Sequence, residues 1–139
     1  MKVTYSDLKN KRVFISGGGS GIGATIVEYF CEQKSEVYFI DIDIKSSNKL
    51  IKKIKKKGFR VPKFIECNIL DVKKLQNIIK DIISKKGAIH CLINSAANDD
   101  RHTTEQVDEK YWENRMGINL KHYFFAAQAV VKGLSLIHI

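Results

Sequence analysis

Short apolar runs alternate with amphipathic segments along the chain of 139 residues. The runs are rich in β-branched and aromatic residues and are bounded by glycine or polar residues, which is typical of buried strands. Four such runs are present: Arg12–Ser16, Glu36–Asp41, Val61–Cys67 and Ala88–Asn94. In the third run Pro62 stands near the start, where its missing N–H does least harm to strand pairing.

Between and after these runs, apolar residues recur every three or four positions, a spacing that predicts four amphipathic helices. The second helix covers Ser46–Lys57 and is expected to end at Gly58, and Gly87 ends the third. Asp71 and Asp108 are placed to cap the third and fourth helices. The first helix carries Ile22, Ile26, Val27 and Phe30 at this spacing, the third carries Val72, Leu75, Ile78, Ile79, Ile82 and Ile83, and the fourth carries Trp112, Met116, Leu120, Tyr123, Ala127 and Val130 on one face.

Strand and helix alternate strictly, and the strands are apolar along their whole length rather than at every second residue. Such strands are buried on both faces, as in parallel sheets that are covered by helices. Right-handed crossovers then place the strands in the order 3-2-1-4. The sequence therefore predicts an α/β fold, the first part of a doubly wound Rossmann-type sheet, in one domain that covers residues 1–134.

A glycine-rich loop joins the first strand to the first helix. Its glycines carry no Cβ atoms and let the main chain approach a pyrophosphate, whose charge then meets the free N–H groups at the start of the helix. A tight turn without a ligand is the alternative. The residues predicted to bind a dinucleotide are Gly17, Ser20, Gly21, Ile22 and Gly23.

An acidic residue, Asp41, ends the second strand 18 residues after Gly23. This is close to the offset of about 20 residues at which an acid binds the adenosine ribose. A carboxylate accepts hydrogen bonds from both ribose hydroxyls of NAD but repels the 2′-phosphate of NADP. Ser20 stands where a basic residue could have held that phosphate. The predicted cofactor is therefore NAD, and the alternative for Asp41 is a simple turn or cap residue.

Charge and composition bear on whether the chain binds nucleic acid or a membrane. The net charge is +9, but the lysines are spread along the chain, and the densest run, Lys52–Lys57, is interrupted by Ile54 as on a solvated helix face. No run approaches the roughly 18–20 apolar residues that span a bilayer, and no apolar segment of a secretory signal is present at the start. We therefore predict no nucleic-acid partner, no membrane partner and a cytoplasmic location.

The three cysteines, Cys31, Cys67 and Cys91, show no metal-ligand spacing, and the four histidines are scattered. The cysteines are expected to be small buried residues in a reducing compartment, and no metal site is predicted.

These motifs resemble the short-chain dehydrogenase/reductase family over about residues 3–134. That family spaces its loop as Thr-Gly-x-x-x-Gly-x-Gly, which residues 16–23 fit with serine in place of threonine. The resemblance implies that Asn68 and Ile69 contact the adenine, with an amide where the family has a carboxylate. It also implies that Asn94 and Ala96 border the cofactor, as members of the family's Asn-Asn-Ala-Gly motif.

The resemblance further implies where the chemistry lies. Asn119 matches the asparagine that holds a local helix distortion and a water of the proton relay; without the resemblance, a solvent-facing polar residue is the alternative. The family's catalytic serine, tyrosine and lysine are expected after the fourth helix, so the chain itself is expected to be inactive. Tyr5 and Lys9 have the tyrosine–lysine spacing but precede the first strand. Residues 135–139 resemble a non-native tail.

A narrower resemblance is to bacterial NAD-dependent aldose 1-dehydrogenases such as D-xylose dehydrogenase. It is carried by segments that include Asn98–His102, Tyr111–Arg115 and His122–Val130. It implies that the complete protein oxidises the anomeric hydroxyl of a sugar to a lactone, and family membership implies that it forms a homo-oligomer. Alternative functions are a non-catalytic dinucleotide sensor and a 3-oxoacyl-type reductase.

The segment after the fourth strand is the candidate substrate site. Asn98 and Asp99 lie at the carboxyl edge of the sheet, where their short polar side chains could bind sugar hydroxyls. The alternative is that Asp99, Asp100 and Arg101 pair with one another and fix the loop.

Overall fold

The computed structural model describes residues 3–134. Short 3-10 turns cover Ser6–Leu8 and Thr104–Gln106, and the predicted tail at 135–139 lies outside the described residues. Within the described range the strands and α-helices are β1 (Arg12–Ser16), α1 (Gly21–Glu32), β2 (Glu36–Asp41), α2 (Ile44–Lys56), β3 (Lys63–Glu66), α3 (Val72–Lys86), β4 (Cys91–Asn94), α4 (Glu109–Met116) and α5 (His122–Leu134).

The strand order β3-β2-β1-β4 confirms the predicted doubly wound sheet. All three pairings are parallel, and Ile15 of β1 lies opposite Phe39 of β2 and Ile93 of β4. Successive side chains of a strand point to opposite faces, and Phe14 and Ile15 are both fully buried. The continuous apolar runs of the sequence therefore reflect helices that cover both faces.

Two apolar cores lie on the two faces of the sheet. The first joins β1 and β2 to α1 and α2, with Val27 and Phe39 among its buried residues. The second joins the opposite face to α3 and α5, with Phe14, Ile79 and Val130 among its buried residues. This arrangement leaves the carboxyl ends of the strands uncovered by either layer of helices.

The central strands have the predicted bounds, whereas the edge strands are shorter than predicted. β3 spans four residues and pairs with β2. It begins after Pro62, because proline has no N–H to donate to the ladder. β4 begins at Cys91 instead of Ala88. Just before it, Arg12 N donates to His90 Nδ1 at 3.0 Å, so that a side chain replaces the next ladder bond.

The predicted helix caps are present. Asp71 accepts a hydrogen bond from Lys74 N at 2.9 Å, and Asp108 accepts one from Tyr111 N at 2.7 Å. α2 begins two residues earlier than predicted because Asp43, rather than a later residue, caps it.

A π turn, Gly117–Lys121, joins α4 to α5 in one continuous helix. The predicted single apolar face of this helix is wrong, since Trp112 and Leu120 are more than half exposed while His122 and Ala126 are buried. A π turn holds more residues than an α turn, so the face that meets the core changes at this point.

The cysteines largely follow the prediction. Cys31 and Cys67 are buried, and Cys91 is half-buried; all three are free thiols. In α1 the buried residues are Gly23, Val27 and Cys31, whereas Ile22, a predicted cofactor-binding residue at the start of the helix, is exposed.

Candidate functional site

A cleft of about 680 Å³ opens at the carboxyl ends of the strands, where open α/β sheets bind ligands. Two predicted site residues, Asn94 and Asn119, are not on its wall. The structure brings the other predicted site residues together there: Gly17, Ser20, Gly21, Ile22, Gly23, Asp41, Asn68, Ile69, Ala96, Asn98 and Asp99. The wall also contains residues that the sequence reasoning missed: Ile42, Asp43, Cys67, Ser95, Ala97 and Ile118.

The glycine loop is packed tightly against its neighbours. Gly17 has a φ of +69°, and a Cβ atom on it would lie 2.6 Å from the Cα atom of Ala96. Its N–H donates to the carbonyl of Ile40 at 2.8 Å. A Cβ atom on Gly23 would collide with the carbonyl oxygen of Gly17. Both positions therefore require glycine, and the loop presents main chain to the cleft.

The amino end of α1 is open toward the cleft. Ser20 is its N-cap residue, yet the Ser20 side chain makes no capping hydrogen bond, and no acidic residue lies in the first turn. The first N–H groups and the positive end of the helix dipole are therefore available to an anion such as a pyrophosphate. Ile22, which is 78% exposed, adds an apolar contact at the same place.

Asp41 places a carboxylate at one end of the cleft. Its Oδ2 accepts from Gly19 N at 2.8 Å, and its Oδ1 accepts from Asp43 N at 2.9 Å. The two backbone donors fix the orientation of the carboxylate and leave each oxygen able to accept a further bond. Each carboxylate oxygen can therefore accept from one hydroxyl of a vicinal diol.

Asn68 and Ile69 form the wall beside Asp41. Asn68 Oδ1 accepts from Leu70 N at 3.0 Å, which holds the amide group in place. The Asn68 oxygen keeps a lone pair and can accept a hydrogen bond from an adenine amino group. Cys67 lies behind them, and burial raises the pKa of its thiol.

Asn119 does not line the cleft but hydrogen-bonds to Asn98, which does. Its Oδ1 accepts from Asn98 N at 2.9 Å, and its Nδ2 donates to Asn98 O at 2.9 Å. Asn119 lies within the π turn, so the helix distortion expected at this residue is present. The turn also places Ile118 on the cleft wall.

The loop after β4 is fixed by α4. Asp100 pairs with Arg115 at 3.1 Å, and its carbonyl accepts from the Tyr111 hydroxyl at 2.6 Å. The Arg115 guanidinium stands 4.8 Å from the centre of the Tyr111 ring. Of the residues expected either to pair or to bind substrate, Asp100 pairs, whereas Asp99 and Arg101 take part in no ion pair of the described chain. Asp99 instead lies on the cleft wall.

Two buried polar side chains connect β1 to α5. Ser16 Oγ lies 3.4 Å from His122 Nε2 and accepts a hydrogen bond from Ala96 N at 3.3 Å. The sequence reasoning missed His122, whose only signal is a histidine inside the apolar segment that begins α5. Asn94 pairs in register with Ser16, and its Oδ1 is buried without a partner in residues 3–134.

The described part of the chain has neither a metal-binding cluster nor a membrane-spanning helix. Residues 3–134 contain no group of three or more His, Cys, Asp or Glu side chains that could hold a metal ion. No helix in that range is both long and apolar enough to cross a membrane.

Comparison with known proteins gives one family. The family model described as short chain dehydrogenase matches residues 11–136. Over 126 residues the chain is 38% identical to a Rhizobium meliloti protein named as a probable galactose dehydrogenase, covering 91% of this chain and 49% of that protein. Over 131 residues it is 37% identical to D-xylose 1-dehydrogenase of Caulobacter vibrioides, covering 94% and 50%.

A solved structure agrees. Ligand-free aldohexose dehydrogenase of Thermoplasma acidophilum matches with a TM-score of 0.78 at 25% identity, covering 94% of this chain and 46% of that one. The chain therefore spans about half the length of the relatives that it matches.

Proposed function

The chain belongs to the short-chain dehydrogenase family, and we propose that it forms the cofactor-binding half of an enzyme that uses NAD to oxidise a sugar hydroxyl. The supporting observation is the cleft wall, which runs from Asp41 past the glycine loop to Asn98 and Asp99. A dinucleotide with its adenosine ribose at Asp41 and its pyrophosphate at α1 would extend toward the end of β4.

The residues present fit NAD. Gly17 and Gly23 leave the main chain bare where a pyrophosphate would approach, and α1 begins there without a side-chain cap. The oriented carboxylate of Asp41 suits two ribose hydroxyls and would repel a 2′-phosphate. Asn68 and Ile69 would border the adenine. This combination favours NAD over NADP.

Oxidation of an anomeric hydroxyl removes a hydride from carbon and a proton from oxygen, and the sugar becomes a lactone. When bound, NAD would accept the hydride. The proton requires a base, which the family resemblance places on a tyrosine after α5. In this chain Asn119 fixes the cleft wall through Asn98 and would support the proton relay, and Asn94 would border the cofactor.

The sugar would lie beyond the nicotinamide, against Asn98 and Asp99. The named relatives act on galactose, D-xylose or aldohexoses, which supports an aldose as the substrate. Asn98 Oδ1 already accepts from Asp100 N at 2.9 Å, so Asn98 would offer its amide N–H groups. The Asp99 carboxylate is free to accept from sugar hydroxyls.

The complete protein would act as a homo-oligomer that contacts its copy through α4 and α5. A cytoplasmic location and the absence of nucleic-acid and membrane partners stay predictions of the sequence.

Isothermal titration calorimetry on the 139-residue chain tests the cofactor. Wild type should bind NAD more tightly than NADP. Asp41→Asn should weaken NAD binding by about tenfold or more, because a hydrogen bond to a charged group contributes about 1.5–3 kcal/mol, and it should narrow the preference over NADP. Asp81→Asn removes the same charge from an exposed site on α3 and should change neither affinity. Equal wild-type affinities for NAD and NADP would refute the choice of NAD.

A panel of pentoses and hexoses tests the substrate in the complete protein that carries this chain. With NAD present, at least one aldose should give NADH and a lactone, and Asp99→Asn should raise KM for that aldose more than it lowers kcat. NAD binding without turnover of any substrate would favour a dinucleotide sensor, and turnover of 3-oxoacyl substrates alone would favour a reductase.

A further inference from the structure

His122 is fully buried at the start of α5, although its ring carries two polar nitrogens. Burial lowers the pKa of His122, and the backbone carbonyls of Ile118 and Gly117 oppose that shift. The imidazole is therefore neutral at pH 7, with one nitrogen that donates and one that accepts. His122 Nδ1 makes no hydrogen bond within the described residues. Nε2 faces the Ser16 hydroxyl, which has a hydrogen to donate, so Nε2 is assigned as the acceptor.

The accepting nitrogen faces the end of β1. Nε2 lies 3.4 Å from Ser16 Oγ. Because Ser16 Oγ already accepts from Ala96 N at 3.3 Å, its own hydrogen is free to bond to the imidazole. His122, Ser16 and Ala96 then form one chain of hydrogen bonds from the start of α5 to the cleft wall, and a buried network of this kind holds its members in one arrangement.

The other backbone group of Ala96 is held from the same place. The Tyr123 hydroxyl donates to Ala96 O at 3.2 Å, and the Tyr123 ring packs edge-on against His122 with the ring centres 4.2 Å apart. Ala96 in turn contacts Gly17, where no Cβ atom would fit. The position of this part of the wall thus depends on His122 and its neighbour.

We propose that His122 is a positioning residue, which sets the place of Ala96 through Ser16 and thereby shapes the nicotinamide end of the cleft. The inference rests on the proposed function, since it assumes that NAD lies with its adenosine at Asp41. The effect is expected mainly at the nicotinamide end, because within the described residues the hydrogen bonds of Asp41 go to Gly19 and Asp43, whereas His122 bonds to Ser16.

The test compares NAD with ADP, which lacks the nicotinamide half, in calorimetric titrations of the 139-residue chain. His122→Leu keeps most of the side-chain volume and removes the acceptor. It should weaken NAD binding about three- to tenfold, the range for one net hydrogen bond, and leave ADP binding unchanged. His122→Gln supplies an oxygen acceptor and should restore most of the NAD affinity.

Ser16→Ala removes one oxygen atom from the same chain of hydrogen bonds and decides the matter even if His122→Leu does not fold. It should reproduce the selective loss for NAD, and Ser16→Ala combined with His122→Leu should lose no more than either change alone. Equal weakening of NAD and ADP, or no weakening of either, would show that His122 only fills the core. Failure of the wild-type chain to bind both nucleotides would instead refute the proposed function.

Discussion

At the residue scale, Gly17 meets two separate physical demands. Its φ of +69° lies in the left-handed region, and the space that a Cβ atom would need is filled by the backbone of Ala96. Gly58 meets the first demand alone, because its φ is +71° and a Cβ atom on it would have no neighbour within 4 Å. The pair therefore separates backbone strain from steric exclusion within one chain.

Gly17→Ala should destabilise the protein more than Gly58→Ala. Left-handed strain costs about 1–2 kcal/mol for a residue with a Cβ atom, and a collision with backbone adds about 1–3 kcal/mol of overpacking. Urea unfolding of the two variants should show free energies of unfolding that differ by at least about 1 kcal/mol. Gly17→Ala should also lose NAD affinity, whereas Gly58→Ala should keep it. Equal losses of stability would mean that Ala96 moves aside freely.

At the element scale, the sequence predicted correctly those elements whose ends are set by neighbouring residues in the chain. β1 and β2 have the predicted bounds because a glycine and an acid end their apolar runs, and Asp71 caps α3 as expected. The start of β4 and the apolar face of the helix after Asp108 were predicted wrongly because they depend on tertiary contacts. Just before β4 the His90 side chain replaces a ladder bond, and the π turn forms where Asn119 binds Asn98.

The residues of the candidate site likewise fall into those that the sequence pattern predicted and those that tertiary contacts place. The glycine loop and Asp41 carry a recognisable spacing, whereas Ile118 and His122 reach their places only through the π turn. A spacing rule that assumes a regular helix places residues after the turn on the wrong face. The contacts that hold the loop after β4 were likewise not visible, because Asp100 pairs with Arg115 rather than with its sequence neighbour.

Arg115→Met should loosen this loop with little loss of stability. The ion pair with Asp100, which is 66% exposed, is worth at most about 1 kcal/mol. However, it fixes Asp100 together with the Tyr111 hydroxyl, so amide hydrogen exchange at residues 98–102 should accelerate. Arg101→Met is the matched control, since Arg101 makes no ion pair within the described residues, and it should leave exchange unchanged. Unchanged exchange in Arg115→Met would show that Tyr111 and Asn119 hold the loop alone.

At the scale of the whole molecule, an apolar stripe remains open to solvent on the outer side of α4 and α5. Its members are exposed apolar side chains of the continuous helix: Trp112, Met116, Leu120, Phe124 and Val131. Contiguous exposed apolar surface of this kind marks an interaction site. Ala126 and Ala129 of α5, in contrast, pack in the core. The exposure of the stripe supports the proposed contact between two copies of the complete protein.

Replacing Leu120 and Phe124 together by lysine should weaken self-association of the complete protein at least about tenfold. Each substitution removes about 1.5–3 kcal/mol of the free energy gained by burying an apolar side chain. A difference of about 1.4 kcal/mol changes an affinity tenfold. Tyr29→Lys is the control, because Tyr29 on α1 is 63% exposed, as Phe124 is, and lies outside the stripe. Sedimentation velocity across a range of concentrations measures the change. A wild-type monomer at every concentration, or an equal loss in Tyr29→Lys, would remove the stripe as the interface and leave its exposure to be explained by chain that packs on it.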